Sequence, residues 1–287
     1  MNADIIHGYR DDPSLRASFN DLSREVFGLD FEGWYRNGFW SDCYDPYSVF
    51  IEGRTVANIS VNRCDMRYDG ELVRLIQFGT VMTHPDFRGR GFVRAIMEKI
   101  LSEYENKVDG IYLFANDSVK DLYPKFGFYE RKEYGFYKTV PQTGERTAKN
   151  VPLESKSELE RAARAIGERE PSGKLHTVGN TGLYMFYLSQ FMKENLFYLP
   201  ECDSYVIAEP EDGLLILHAI FGDCAADRAA ASFGRDIKKV ELRFTPEERE
   251  EFETAELEDA DTTLFVRGSF FEKTKSDLFR FPEISRA

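Results

Sequence analysis

Residues 84–94 read HPDFRGRGFVR. They follow a short apolar stretch, QFGTVMT, and lead into FVRAIMEKILSEYENK, whose apolar residues recur at helical spacing. A strand that passes through glycines and arginines into a helix restricts the fold more than any other feature of this chain. The first turn of a helix presents unpaired N–H groups and a partial positive charge. Glycines let the backbone approach a ligand closely, and Arg88 and Arg90 add charge. The junction is built to hold a pyrophosphate, and it implies strands layered against helices in an α/β arrangement with a mixed sheet.

The rest of the chain surrounds this cationic run with acid. The 287 residues carry a formal charge of -13, so neither nucleic acid nor an anionic membrane is an expected partner. Residues 1–140 hold 18 Lys and Arg against 22 Asp and Glu, and the remainder hold 19 against 28. No apolar run reaches the roughly 18 residues of a membrane span. MNADIIHGYRDDPSLR lacks the pattern of a signal peptide, so a cytoplasmic protein is expected. Cys43, Cys64, Cys202 and Cys224 form no C-x-x-C pair, which speaks against a metal site or a disulfide framework and for scattered reduced thiols.

Along the chain, Leu15, Phe19, Leu22 and Val26 mark one face of a helix that Gly28 can end. FEGWYRNGFWSDCYDPY reads as a helical turn and a loop whose Trp34, Tyr35, Phe39 and Trp40 either cap the core or line an acceptor cleft. Three strands are expected over 48–85, with turns at Glu52-Gly53 and Asp69-Gly70. GIYLFAN is a short buried strand, SVKDLYPKF a short helix closed by Gly127, and FYERKEYGFYKTV one or two strands. Residues 141–157 are polar and aperiodic, a linker between a domain at 1–140 and another at 158–287. In the second half TGLYMFYLSQFMKENLF, CAADRAAASFGRD and TPEEREEFE read as helices, and SYVIAEPEDGLLILHAIFG as a hairpin. KKVELRF and DTTLFVRG read as strands. The order of elements is alike in the two halves, which suggests two copies of one architecture.

Among nucleotide cradles, the P-loop pattern is absent. A Rossmann reading of Gly89-Arg90-Gly91-Phe92-Val93-Arg94 lacks its third glycine and an acid on the next strand. Arg88-Gly89-Arg90-Gly91-Phe92-Val93 instead resembles the [QR]-x-x-G-x-[GA] coenzyme A loop of the GNAT acetyltransferase superfamily, with Val93 where Gly or Ala is usual. Some 30 residues on, Ala115-Asn116 ends a strand, and Leu122-Tyr123-Pro124-Lys125-Phe126-Gly127-Phe128 resembles a second motif of that family. The resemblance covers residues 1–140. It implies a GNAT fold there and a degenerate GNAT-like second half, without the coenzyme A loop.

The resemblance implies transfer of an acetyl group from acetyl-CoA, with no metal, to a primary amine. Residues 88–93 would hold the pyrophosphate. Val81, Met82 and Thr83 would pair with pantetheine where their strand splays from GIYLFAN, and a backbone N–H there would face the thioester oxygen. Asn116 would bond the pantetheine arm or cap the next helix. Tyr123 would supply a proton to the departing thiolate. Val93, being β-branched, is expected to narrow the approach of the phosphates. No acid stands on the strand itself, and Glu52, Asp65 and the carboxylate of Ala287 are conceivable bases, with His84 read as a turn residue. Trp34, Tyr35 and Trp40 together with the acidic second half point to a cationic acceptor with some apolar surface, a small amine or a peptide. Two other readings compete: an acyl-CoA sensor without turnover, and a transferase using a different donor such as an aminoacyl-tRNA.

Overall fold

A computed structural model describes residues 4–258 and 261–286. The first half contains β1 (Ile5–Ile6), α1 (Pro13–Phe27), α2 (Glu32–Arg36), β2 (Tyr44–Ile51), β3 (Arg54–Arg63), β4 (Met66–Tyr68), β5 (Glu71–Val73), β6 (Leu75–Thr83), α3 (Phe92–Tyr104), β7 (Gly110–Ala115), β8 (Tyr129–Glu130) and β9 (Tyr134–Thr139). The second contains β10 (Lys149–Asn150), α4 (Lys156–Gly167), β11 (Leu175–Thr177), α5 (Thr181–Gln190), β12 (Leu196–Leu199), β13 (Ser204–Pro210), β14 (Leu214–Phe221), α6 (Ala226–Phe233), β15 (Lys239–Leu242), β16 (Glu253–Glu256), β17 (Thr263–Arg267) and α7 (Ser269–Lys273).

The ends of α1 follow from its sequence. Asp12 accepts hydrogen bonds from the Ser14 and Leu15 N–H groups, and Gly28, at φ 71°, closes the last turn. Asp69 and Gly70, both at positive φ, make the tight turn between β4 and β5. Three segments depart from the sequence reading. SVKDLYPKF forms two 3-10 turns, Asp117–Val119 and Tyr123–Phe126, because Pro124 cannot donate to a continuing helix. TPEEREEFE forms one 3-10 turn, Arg249–Glu251, before β16, where its crowded carboxylates gain more from spreading along an exposed edge. Residues 48–85 hold five strands where three were expected, because the short β4 and β5 form a separate sheet with β11.

Two seven-stranded sheets run β1-β2-β3-β6-β7-β17-β8 and β10-β12-β13-β14-β15-β9-β16. Each has one parallel pair, β6 with β7 and β14 with β15, bridged by α3 and α6 respectively. The halves exchange a strand. β9 lies between β15 and β16 in the second sheet, and β17 lies between β7 and β8 in the first. The boundary expected at residue 140 therefore separates the sheets only in part, and the expected linker contributes β10 and the Ser155 cap of α4.

α5 sits between the halves and is apolar all round, as a helix buried on every side must be. Leu183 joins the cluster of Phe279 and Phe281, Met185 and Leu188 pack with α4, and Phe186 stacks on Phe31. Cys202 and Cys224 are joined in a disulfide, which corrects the expectation of four reduced thiols. Their positions, at the β12–β13 turn and before α6, meet only through the sheet between them, so spacing could not reveal the pair.

The segment after α7 runs back into the interface. Arg280 is 1% exposed and lies 3.2 Å from Glu241, while Glu283 lies 3.4–3.6 Å from Arg243, His218 and Arg280. Burial alone would raise the Glu283 carboxyl, but His218, Arg243 and Arg280 outweigh it and hold the pKa at about 2. A carboxyl lowered in the folded state stabilises the fold above its ordinary pKa, and that stability is lost as the pH falls towards 2. The contribution is roughly 3 kcal/mol. Glu283→Gln should therefore flatten the acid limb of the stability curve between about pH 4.5 and 2.5, followed by denaturant unfolding. An unchanged limb would place the titration elsewhere.

Candidate active site

β6 carries the site. It pairs with β7 from Leu75–Gly110 to Phe78–Leu113 and no further. Beyond that point no described backbone pairs with Gly79–Thr83 on the β7 side, so the two strands splay into an open groove. Val81, Met82 and Thr83 lie along it. The side chain of Val81 packs on the cluster under α3, while that of Met82 is buried on the opposite face among the aromatics of α1 and α2. The groove offers only the backbone groups of these residues that face away from β3, rather than their side chains.

At the end of β6, His84 accepts from the Asp86 N–H and opens a short 3-10 turn, Pro85–Phe87, as a turn residue would. Its Nε2 lies 3.5 Å from Glu25. Arg88 and Gly89 follow, and Gly91 at φ 80° begins α3. α1, α4 and α5 each have a side chain capping the first turn, whereas α3, like α2, α6 and α7, has none. Its first helical bond runs from Ala95 N–H to Gly91 O, which leaves the amides of Phe92, Val93 and Arg94 without a helical acceptor. There is no acid in that first turn, and a Cβ built on Gly89 or Gly91 would meet open space. Arg88 is exposed and makes no ion pair with any described residue. Arg90 donates to Asp86 O at 2.9 Å and lies over the Phe87 ring, which fixes the turn. The side chain of Val93 is partly buried and packs against the core cluster that contains Phe92. These residues fit a diphosphate.

Tyr123 is 2% exposed, with its ring against Phe128 and Phe265 and in the same cluster as Ala115 and Val81. Burial pushes its phenol up to about 12. Asn116 does not cap the following turn. Its Nδ2 contacts Asp261 at 3.4 Å, and Asp261 also takes the Asp117 N–H, so β17's lead-in closes this corner. Trp34 and Trp40 are both 3% exposed and stacked at 5.6 Å in the core, the first of the two readings the sequence offers, and Trp34 also borders a cavity of about 240 Å³ with Gly33, Asn37 and Leu153. Tyr35 is half-buried, under Arg16 and bonded to Asp11. Glu52 and Asp65 stand beyond opposite ends of β3, each at least five residues from Ser60, the residue opposite the start of the splay. At about 3.3 Å per residue neither reaches the groove directly. Ala287 lies outside the described residues.

Sequence reading missed what the second half does with its own groove. β14 and β15 also pair over four residues and then part. There the gap is filled by residues 171–175. Ser172 N–H donates to Ile220 O at 2.8 Å, its hydroxyl donates to Gly222 O at 2.8 Å, and Lys174 N–H donates to Thr245 O at 2.9 Å. Pro171 bridges Phe221, and Leu175 bridges Thr245. The chain thus meets the strand edges that pantetheine would need, and Asp227 in the first turn of α6 would repel a phosphate. Gly173 is required for this plug. At φ 120° a Cβ there would lie 2.7 Å from Thr245 O and 2.9 Å from the Phe244 ring. Gly173→Val should lower stability by about 2 kcal/mol or more in denaturant unfolding, and a neutral effect would show that the plug is loose. A cavity of about 260 Å³ lies beside the plug, lined in part by Pro171, Tyr184 and Phe221 and by no residue of α3. Among the described residues no cluster could hold a metal ion and no helix is long and apolar enough to cross a membrane.

A family model for the acetyltransferase (GNAT) domain matches residues 13–136. No curated protein matches the sequence. Among solved structures, a conserved protein of unknown function from Enterococcus faecalis V583, described as a probable N-acyltransferase, is similar with a TM-score of 0.62 at 16% identity, over 96% of this chain and 74% of that one. Eis1 from Mycobacterium abscessus gives 0.61 at 14%, over 97% and 76%. A putative acetyltransferase from Pyrococcus horikoshii gives 0.51 at 15%, over 100% and 96%. At such identities the likeness is one of fold. Residues 13–136 are a GNAT acetyltransferase domain, and the chain as a whole has the GNAT acyltransferase fold.

Proposed function

We propose that this protein transfers an acetyl group from acetyl-CoA to a primary amine, by direct attack with both substrates bound. The observation that carries this reading is the contrast between two like grooves. The one beside α3 has no described chain segment along it and no acid in the first turn of its helix, with Arg88, which makes no ion pair with any described residue, at its end. The one beside α6 is filled by its own chain. The second half is a degenerate copy that lends β17 to the catalytic sheet and walls the acceptor side.

Arg88 and the amides of residues 92–94 bind the pyrophosphate. The edge of Val81–Thr83 orients the pantetheine arm, and Tyr123, kept protonated by burial, donates a hydrogen bond to the leaving sulfur. The acceptor is an amine that carries positive charge in solution, drawn by the net charge of -13. It gives a proton to solvent before its lone pair attacks the thioester carbon, the C–S bond breaks to release the coenzyme A thiolate, and the new amide nitrogen loses its remaining extra proton to solvent. Calorimetric titration with acetyl-CoA tests the reading, with one site per chain as the expected stoichiometry. Two sites would mean that the plugged groove opens, and no binding would set the reading aside.

A further inference from the structure

The cavity of about 240 Å³ that Trp34 borders lies on the seam between the halves, where α2 meets α4 and α5. None of its lining residues belongs to β6 or α3, so it shares nothing with the groove described above. Its floor is apolar. Trp34, Leu153 and Leu159 line it, and all three are buried. The indole N–H of Trp34 is taken by Gly182 O at 2.7 Å, which leaves the ring to act through its apolar surface.

The polar groups around that floor are mostly donors without acceptors. Lys156 stands on the cavity from α4 and Lys193 from the turn after α5. The side chain of neither makes an ion pair or hydrogen bond with any described residue. Gln190 also lines the cavity, and its Nε2 is buried with no hydrogen-bond partner among the described residues. A buried donor in that state costs stability, and an oxygen supplied by a ligand would satisfy it. Glu154 is the one acid among the described residues that line the cavity, so positive charge prevails there. The cavity beside the plug is different. Its Arg67 and Arg169 are engaged by Glu170 at 2.8 Å and Asp203 at 3.5 Å.

We propose that this cavity binds a small monocarboxylate with an apolar body. The carboxylate oxygens accept from Lys156, Lys193 and the Gln190 amide, as charge-assisted hydrogen bonds do best. The body lies on Trp34, Leu153 and Leu159. An inorganic anion would leave that floor unused, and the two ammonium groups repel the cationic acceptor, so the cavity is a second site with chemistry of its own. Its occupant touches α2 in the first half and α4 and α5 in the second, and should raise the melting temperature by holding them together. The inference does not depend on the acetyl-CoA reading.

Benzoate is the probe, with benzamide and benzylamine as neutral and cationic analogues of similar size. The chain has two tryptophans, Trp34 and Trp40, so tryptophan emission reports the site. Benzoate should change it along a saturable curve for one site, with a dissociation constant of roughly 1 mM or tighter. Benzamide and benzylamine should bind at least about tenfold more weakly. Lys156 and Lys193 are exposed, so a protein carrying Lys156→Gln and Lys193→Gln should melt within a few degrees of wild type and bind benzoate at least about tenfold more weakly. Each change alone should weaken binding by about threefold, which keeps the test intact if the double variant fails to fold. Undiminished affinity in the folded double variant, or equal binding of benzylamine, would overturn the proposal. Displacement by chloride at constant ionic strength would overturn the choice of a carboxylate, and displacement by acetyl-CoA would move the benzoate to the groove beside α3. The absence of any saturable response to benzoate would remove the site outright.

Discussion

A protein carrying both Arg88→Ala and Gly91→Glu should lose acetyl-CoA binding by at least about 100-fold, which is about 2.7 kcal/mol. Three effects add. The unpaired guanidinium of Arg88 disappears, a carboxylate enters the first turn of α3 where a diphosphate would sit, and a side chain fills the open space in front of Gly91. Gly91 also holds φ 80°, which a glutamate adopts at a cost of about 1 kcal/mol or more. That cost falls on an exposed cap, so circular dichroism should show a folded protein melting within a few degrees of wild type. Retained binding in a folded variant would place the pyrophosphate away from this helix.

Tyr123→Phe should lower kcat by about 100-fold while leaving acetyl-CoA affinity within about threefold. The phenylalanine ring keeps the contacts with Phe128 and Phe265, so the change is confined to the hydroxyl. The pH dependence separates two roles. With the phenol at about 12 and a thiol near 8.5, full proton transfer to the sulfur is uphill by roughly 5 kcal/mol. Tyr123 therefore acts as a hydrogen-bond donor that stays protonated through the assay range, and the defect should be constant from about pH 6 to pH 9. The stability tied to this buried neutral phenol is complete below pH 10 and is lost as the pH rises towards 12, because there the unfolded chain binds fewer protons than the folded one. A wild-type rate that falls with an apparent pKa below 9, in a limb missing from Tyr123→Phe, would contradict this and make Tyr123 an acid with a lowered pKa.

The parts of the fold that sequence made legible are those set by local chemistry. The Gly-Arg run before α3, the turn at Asp69-Gly70 and the Asp12 and Gly28 ends of α1 each depend on residues within a few positions of one another. What it hid depends on partners far along the chain. Nothing near Tyr134 or Thr263 says that β9 and β17 trade sheets, because either strand would satisfy the same edge. The plug at 171–175 reads as an unremarkable loop until Ile220 and Thr245 are brought beside it. Asn58, Ser60 and Asn62 alternate with apolar residues in β3, a pattern that normally means a wet face. The second half covers one end of that face, with Asn180 bonding to Asn62, while Ser48 and Thr80 of the first half bond to Asn58 and Ser60. Trp34 and Trp40 leave two readings open for the same reason, since Phe186 of α5 closes over them from far along the chain.

The most direct test of the central claim is acetyl-CoA consumption, read as free thiol release, across a panel of cationic, neutral and anionic acceptors at fixed acetyl-CoA. Acceptor-dependent release with cationic primary amines, at rates that fall in Tyr123→Phe, is the result expected of an N-acetyltransferase with an acidic acceptor side. Stoichiometric acetyl-CoA binding with no acceptor-dependent release from any amine would contradict it and make the protein a sensor of acyl-CoA.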